Sequence, residues 1–196
     1  MSIMKYTIFF FFFIVSYSSY SQFVDYNNFF GIDINDSPFD LGVSRANDFS
    51  NFKNQRLFRI HFNSDGYIFQ KCNKFNFTPA GEFDFSDDAK RKKENCEKNL
   101  IDKSFFNLFT NKTVIFKTQN ASTIEDCKIL HLTFSTVFST QKMNLILNKL
   151  FEKYKTPESS KNMSWGKLYS WEFSNKQLMV RRIDKQNEIH VDYFIK

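Results

Sequence analysis

The three histidines are the side chains best suited to acid–base or metal chemistry near neutral pH, and their spacing supports neither role strongly. His61, His131 and His190 fall on separate predicted strands. His190 and Asp192 share one strand face, an arrangement that can bind a metal or relay a proton, although a strand histidine facing solvent is commoner. The His-Glu-x-x-His and Cys-x-x-Cys spacings typical of zinc sites are absent from the sequence.

Glycines and serines also lack the spacing of common catalytic and nucleotide sites. The five glycines include no Gly-x-Gly pair, so neither a dinucleotide cradle nor a P-loop is predicted. A Gly-x-Ser-x-Gly elbow is absent as well. The adjacent carboxylates Asp87 and Asp88 stand where a helix should begin, and capping explains them. We therefore predict no catalytic, metal-binding or cofactor-binding residue, and no deep pocket that joins His131 or His190 to a cysteine or carboxylate.

Aromatic residues are unusually abundant, at 19% of the chain, and one group of them is a candidate binding face. Trp165, Tyr169, Trp171 and Phe173 cluster on one short predicted strand and its approach. Aromatic rings exposed on a sheet stack on sugars or anchor a protein partner. Packing of the same rings in the core is the commoner alternative.

Three cysteines, Cys72, Cys96 and Cys127, are the candidates for a disulfide. An oxidising compartment permits one bond and leaves one thiol over. The possible loops of about 24, 31 and 55 residues differ in stabilisation by under about 1 kcal/mol, so loop entropy does not choose the pair. Three buried cysteines without a bond are the alternative, and no motif supports a nucleophilic cysteine.

The N-terminal segment predicts the compartment. An apolar run from Ile8 to Val15 follows the single positive charge of Lys5 and precedes small residues. A helix of about 12 residues spans about 18 Å, whereas a bilayer core is about 30 Å thick. The run is therefore too short to span a membrane and is typical of a secretory signal peptide, cleaved between Ser21 and Gln22. We predict export to the periplasm or the extracellular space, with an uncleaved anchor as the alternative.

The remaining residues 22–196 have the length of one domain. Such a chain buries enough surface to fold without a metal or a disulfide framework. The formal charge of +6 and the basic run of residues 90–93, which acids flank, are typical of a solvated helix face rather than of a nucleic-acid partner. No further stretch has membrane-spanning length, so we predict a soluble mature protein.

Periodicity predicts the elements that must position these residues. Residues 22–54 form an irregular lead-in, and residues 56–69 predict a hairpin that turns at Asp65 and Gly66. Helices are predicted from Ser86 onward and over residues 140–154. The predicted strands cover residues 113–118, 128–134, 168–173, 177–183 and 188–195. The expected product is an α+β fold, a mostly antiparallel sheet with two or three helices packed on it, ending in a helix and a three-strand meander.

Three segments carry a resemblance: Ser-Tyr-Ser-Gln at the end of the signal, Gly31-Ile32 followed by Ser37, and Leu-Asn-Lys-Leu-Phe-Glu-Lys-Tyr-Lys-Thr-Pro before the meander. Together they resemble segments of small exported proteins common in Bacteroidota-type bacteria. In those proteins the helix ends in a Lys-Tyr-Gly-x-Pro-like turn, and Lys155 occupies the glycine position here. The resemblance implies an exported α+β domain and assigns no catalytic residue.

These observations favour an exported, non-catalytic binding protein whose partner is an envelope protein or glycan, bound through the sheet. An inhibitor or immunity protein is one concrete form of this prediction. The alternative is a small secreted hydrolase whose site residues meet only in the folded chain. The absence of a nucleophile, metal or phosphate motif favours binding, whereas a histidine–carboxylate cluster in a pocket would favour hydrolysis.

Overall fold

Antiparallel strands dominate the computed structural model, which describes residues 25–41, 56–118, 121–137 and 139–196. The strands are β1 (Asn28–Phe29), β2 (Ile32–Asp33), β3 (Leu57–His61), β4 (Asn111–Lys117), β5 (Lys128–Val137), β6 (Ser159–Met163), β7 (Gly166–Phe173), β8 (Lys176–Ile183) and β9 (Glu188–Ile195). The first two strands form a small ribbon, and the other seven form one sheet in the order β3-β4-β5-β9-β8-β7-β6.

The helices connect successive strands of the large sheet. They are α1 (Ser64–Cys72), α2 (Asp87–Asn99), the one-turn α3 (Lys103–Phe106) and α4 (Thr140–Tyr154). The predicted α+β class and the closing helix plus antiparallel meander are confirmed. The meander has one strand more than predicted, because β6 pairs with β7 along the edge of the sheet.

Helix α4 has the bounds that its sequence predicts and covers one face of the sheet. Its buried side chains follow the spacing of an amphipathic helix; they are Met143, Ile146, Leu147, Leu150 and Tyr154. The Phe151 ring meets those of Tyr169 and Trp171 with centroids 5.6 and 5.8 Å apart. This contact fixes the helix over β7 and makes the covered side of the sheet the core of the protein.

The ribbon β1–β2 closes the same core from the N-terminal side. Phe29 and Ile32 are fully buried, and the Phe29 ring stacks on Phe134 with centroids 5.5 Å apart. Tyr193 adds a second ring contact with Phe29 at 5.0 Å. Part of the predicted lead-in is thus packed β structure. Residues 1–24, including the predicted cleavage at Ser21 and Gln22, and residues 42–55 lie outside the described ranges.

The predicted hairpin at Asp65 and Gly66 is wrong, because these residues form the first turn of α1. The Asn63 side chain caps that turn by accepting a hydrogen bond from the Asp65 N–H. Tyr67, Ile68 and Cys72 are buried, which matches helical rather than strand periodicity. The strand before the turn, β3, pairs with β4 instead of with the residues that follow it.

A disulfide joins Cys72, at the end of α1, to Cys96 in α2. Cys127 is buried and has a free thiol, and burial raises the pKa of that thiol. Ser86 caps α2 by accepting a hydrogen bond from the Ala89 N–H, as its position before the two aspartates predicts. Within the described ranges, no helix is both long enough and apolar enough to cross a bilayer.

The residue after α4, Lys155, has an unusual backbone with φ +64° and ψ −154°. This region is essentially restricted to glycine, and another residue there costs about 1–3 kcal/mol. Two hydrogen bonds hold the turn: the Lys155 N–H donates to the Phe151 carbonyl, and the Trp171 indole donates to the Lys155 carbonyl. Lys155 therefore holds a backbone conformation that usually requires glycine.

Candidate binding cleft

The four aromatic residues singled out as a binding face do not share one exposed surface. Tyr169, Trp171 and Phe173 are 8, 2 and 9% exposed, because alternate residues of β7 face the side that α4 covers. For these three the core alternative is correct. Trp165 precedes β7 and is half-buried, so part of its side chain stays accessible.

Trp165 and Tyr169 line a cleft of about 500 Å³ at one end of the sheet. It lies between the turn that joins β6 to β7 and the turn that joins β8 to β9. We call it the Trp165 cleft. Its further lining side chains are Asn162, Met163, Ser164, Lys167, Arg182, Asp184 and Lys185. Its volume lies within the range of about 300–1,000 Å³ typical of small-ligand sites.

Gly166 brings the two turns together. Its φ is +153°, and a Cβ added there would lie only 2.0 Å from the Arg182 carbonyl oxygen. The Asp184 N–H donates a hydrogen bond of 3.2 Å to the Trp165 carbonyl, which ties the second turn to the first. A side chain at position 166 would separate the turns, so the glycine determines the shape of the cleft.

Positive charge exceeds negative charge in the Trp165 cleft. The Arg182 Nε donates to Asp184 over 2.6 Å, and one terminal nitrogen of the same guanidinium donates to Asn144 of α4 over 3.2 Å. The Lys167 ammonium lies 5.2 Å from the centre of the Tyr169 ring. Lys167 and Lys185 have no carboxylate within ion-pair distance in the part of the chain that the structure describes. Two ammonium groups are therefore available to an anionic ligand.

The edge of the Trp165 cleft carries neutral hydrogen-bonding groups. Asn162 and Ser164 are exposed, and their side chains make no hydrogen bond to any described residue. An amide and a hydroxyl in these positions can both donate and accept. The cleft thus combines aromatic surface, uncompensated cations and uncommitted polar groups.

A histidine–carboxylate contact lies elsewhere, on the side of the sheet opposite α4, which we call the open face (the side of His131, Asp192 and Arg181). The His131 Nε2 lies 3.0 Å from one Asp192 oxygen, and Arg181 donates to the other over 3.0 Å. Burial opposes ionisation of Asp192, but hydrogen bonds from His131 and Thr133 and the charge of Arg181 outweigh it and lower the pKa of the carboxyl. Both oxygens of the carboxylate are therefore engaged.

The other strand histidine also meets a carboxylate, since His190 Nε2 lies 2.9 Å from Glu188. Both histidines thus have a carboxylate at hydrogen-bonding distance, whereas the prediction concerned a deep pocket that joins such groups. The His131–Asp192 pair joins β5 to β9, a contact that a sequence pattern does not reveal, whereas Glu188 and His190 are two residues apart on one face of β9. Neither histidine lines the Trp165 cleft. Across the described residues, no serine, threonine or cysteine side chain hydrogen-bonds to either imidazole.

A buried ionic cluster ties the N-terminal segment to α1. Asp36 is 3% exposed, and its carboxylate lies 2.5 Å from the Lys71 ammonium and accepts a hydrogen bond of 2.6 Å from the Tyr67 hydroxyl. Burial raises the pKa of Asp36 in spite of these partners. Asp40 also pairs with Lys71, at 3.3 Å. Each charge has a local partner, so the cluster is accounted for by its structural role.

Sequence reasoning found the two aromatic residues of the Trp165 cleft and missed its cations. Lys167 stands between Trp165 and Tyr169, so an interleaved basic residue was the available signal. Arg182 and Lys185 arrive from the next turn of the meander, which only the strand register reveals. The described residues contain no group of three side chains that could hold a metal ion. No protein-family model, curated protein or solved structure matches this chain.

Proposed function

We propose that this chain is an exported, non-catalytic binding protein and that the Trp165 cleft holds its ligand, a glycan or protein component of the envelope. One observation carries the proposal: a half-buried tryptophan lines a cleft with two ammonium groups that no described carboxylate neutralises. Aromatic residues and cations left uncommitted at a concave surface are typical of recognition sites.

Binding is favoured over hydrolysis by the surroundings of the histidines. Hydrolysis by a histidine needs a nucleophile or a water held beside it in a cleft. His131 is instead held by Asp192 and stacked on the Phe194 ring, with centroids 4.1 Å apart. Arg181 occupies the remaining oxygen of that carboxylate. The network joins three strands, a structural role that needs no reaction.

The export part of the proposal rests on the N-terminal signal pattern. Mass spectrometry of the protein recovered from the producing cells should find an N-terminus at Gln22 or close to it. A processed protein that still begins with Met1 would contradict export by this signal.

The binding part is tested by cosedimentation with insoluble envelope material of the producing cell. The wild-type protein is expected in the pellet, and Trp165→Ala in the supernatant, because the variant removes the accessible ring. Trp165→Phe should retain most of the binding. Phe85→Ala is the matched control, since Phe85 is 72% exposed and lies outside the cleft. Equal sedimentation of Trp165→Ala and wild type would remove the cleft from the proposal.

The same incubation separates binding from hydrolysis. A binding protein releases no soluble saccharide or peptide fragments from the envelope material over time. Release that disappears in His131→Gln, while cosedimentation persists, would replace the proposal with the hydrolase alternative.

A further inference from the structure

We infer that the Trp165 cleft takes an acidic saccharide, a short run of sugar rings that carry carboxylate groups such as uronic acids. The inference rests on the proposed function and names its ligand class. It combines three properties of the cleft: an aromatic surface, an excess of cations, and neutral donors and acceptors at the edge.

The aromatic surface supplies the contact for a sugar ring. Trp165 and Tyr169 both line the cleft; Trp165 is half-buried, and Tyr169, at 8% exposure, is the buried part of the lining and its floor. The C–H-rich face of a pyranose is apolar and packs on the negative face of an aromatic ring. Phe151 and Trp171 support Tyr169 from the core side, so this floor is fixed before a ligand arrives. A preformed platform limits the entropy lost on binding.

The charge of the cleft selects the acidic member of the sugar family. Asp184 is the one carboxylate among its lining residues, and Arg182 already engages it. The Lys167 and Lys185 ammonium groups are left to pair with ligand carboxylates. The Lys167 cation is also held near the Tyr169 ring, at 5.2 Å, which positions it above the aromatic floor. A neutral sugar would leave both charges without a partner.

The neutral groups fit sugar hydroxyls better than they fit a peptide. The Asn162 amide offers a donor beside an acceptor, and Ser164 offers a hydroxyl. Both groups can hydrogen-bond to neighbouring hydroxyls of a sugar. A peptide added to the edge strand β6 would need pockets for alternate side chains. That strand is Ser-Ser-Lys-Asn-Met, with four of its five residues exposed. An acidic saccharide is therefore favoured over an acidic peptide.

Intrinsic fluorescence provides a direct readout, because the chain has two tryptophans. Trp171 is 2% exposed and Trp165 is half-buried, so ligand in the cleft changes the emission of Trp165. The probes are tetragalacturonic acid and its methyl ester, in which methyl groups replace the carboxylate charges on the same sugar backbone. A poly-glutamate peptide of equal charge is the third probe. The protein used is the full mature chain, residues 22–196.

Tetragalacturonate is expected to bind, and its methyl ester to bind at least about tenfold more weakly, the effect of losing about 1.4 kcal/mol of charge pairing. Lys167→Gln and Lys185→Gln should each weaken the acid and leave the ester unchanged. Both should also reduce the salt dependence of binding. Lys98→Gln, on the exposed side of α2, is the matched charge control and should behave as wild type. Trp165→Ala should bind both saccharides more weakly, and calorimetry measures this because the variant lacks the reporting tryptophan.

Each contrary result overturns a different statement. Equal affinity for acid and ester, or tighter binding of poly-glutamate, would reject the acidic saccharide while the cleft and the proposed binding function stand. If Trp165→Ala and both lysine variants bind tetragalacturonate with the affinity of wild type, then the ligand binds outside the cleft. Failure of the acid to bind, in a protein whose wild type cosediments in a Trp165-dependent way, would reject the ligand class alone.

Discussion

Along β5, Phe134 faces α4 while its neighbours Thr133 and Ser135 lie on the open face. Phe134 is fully buried and its ring meets those of Phe29, Phe62, Phe106 and Phe109. Thr133 and Ser135 lie in the middle of the sheet and are nevertheless only half-buried. Their exposure indicates that no described element packs over them. One face thus consists of interlocking rings, and the other of a polar network between strands.

The difference separates two kinds of stabilisation in one sheet. The covered face gains free energy from apolar area removed from water and from close packing. The open face depends on Asp192, whose charge is buried at 5% exposure, pairs with Arg181 and lies at hydrogen-bonding distance from His131. On the covered face, lost side-chain volume lowers the free energy of unfolding. On the open face, the loss of a partner of the buried charge lowers it.

The largest effect is expected from Phe134→Ala. Truncation of a fully buried ring should lower the free energy of unfolding by about 3–5 kcal/mol, from lost transfer energy and the cavity left behind. Denaturant unfolding measures the change, and Ser135→Ala on the same strand is the control, with a change below about 0.5 kcal/mol. Similar losses for the two variants would show that the faces do not differ.

Asp192→Asn should lower the free energy of unfolding at neutral pH by about 2 kcal/mol. The variant keeps the volume and removes the charge that pairs with Arg181 and accepts the hydrogen bond of His131. Glu188→Gln is the matched control, since Glu188 has a single histidine partner and is 23% exposed. A loss no greater than that of Glu188→Gln would mean that the network contributes little.

The same network predicts how stability depends on pH. The pKa of Asp192 is lower in the folded protein than the usual value, so its contribution is complete above the unfolded pKa of about 3.9. The contribution is lost as the pH falls through the folded pKa. The difference between wild type and Asp192→Asn should therefore shrink below about pH 4. A difference that stays constant with pH would contradict the assignment.

Lys155→Gly should raise the free energy of unfolding by about 1 kcal/mol, the smallest of these effects. Glycine adopts the φ of +64° at this position without the strain of a side chain. Glu152→Gly, in the last turn of α4, should instead cost about 1 kcal/mol. If Lys155→Gly also destabilises, then the lysine side chain contributes more than the strain that its backbone carries.

The C-terminal part of the fold was predictable because its signals are local. The apolar spacing from Met143 to Tyr154 defines α4, and alternation defines the central strands of the meander. Strand β6 escaped prediction because an exposed edge strand of polar residues has no alternation to detect. The turn at Asp65 and Gly66 was misassigned because a hairpin dipeptide also fits the first turn of a capped helix.

The candidate site was predictable only in part. Aromatic enrichment indicated Trp165 and Tyr169, but alternation cannot tell which face of a strand is covered. The cations of the cleft come from two turns that the register of β7 and β8 brings together. His131 and Asp192 are 61 residues apart, and long-range pairs of this kind leave no trace in a single sequence.

The disulfide between Cys72 and Cys96 keeps the chain covalently connected when a protease cuts the segment between them. The segment that it closes contains Phe77, Phe83 and Phe85, which are 42, 55 and 72% exposed. Exposed loops of this kind are preferred sites of cleavage. A single cut there would leave two fragments still linked covalently, which migrate as one band on a non-reducing gel and as two after reduction.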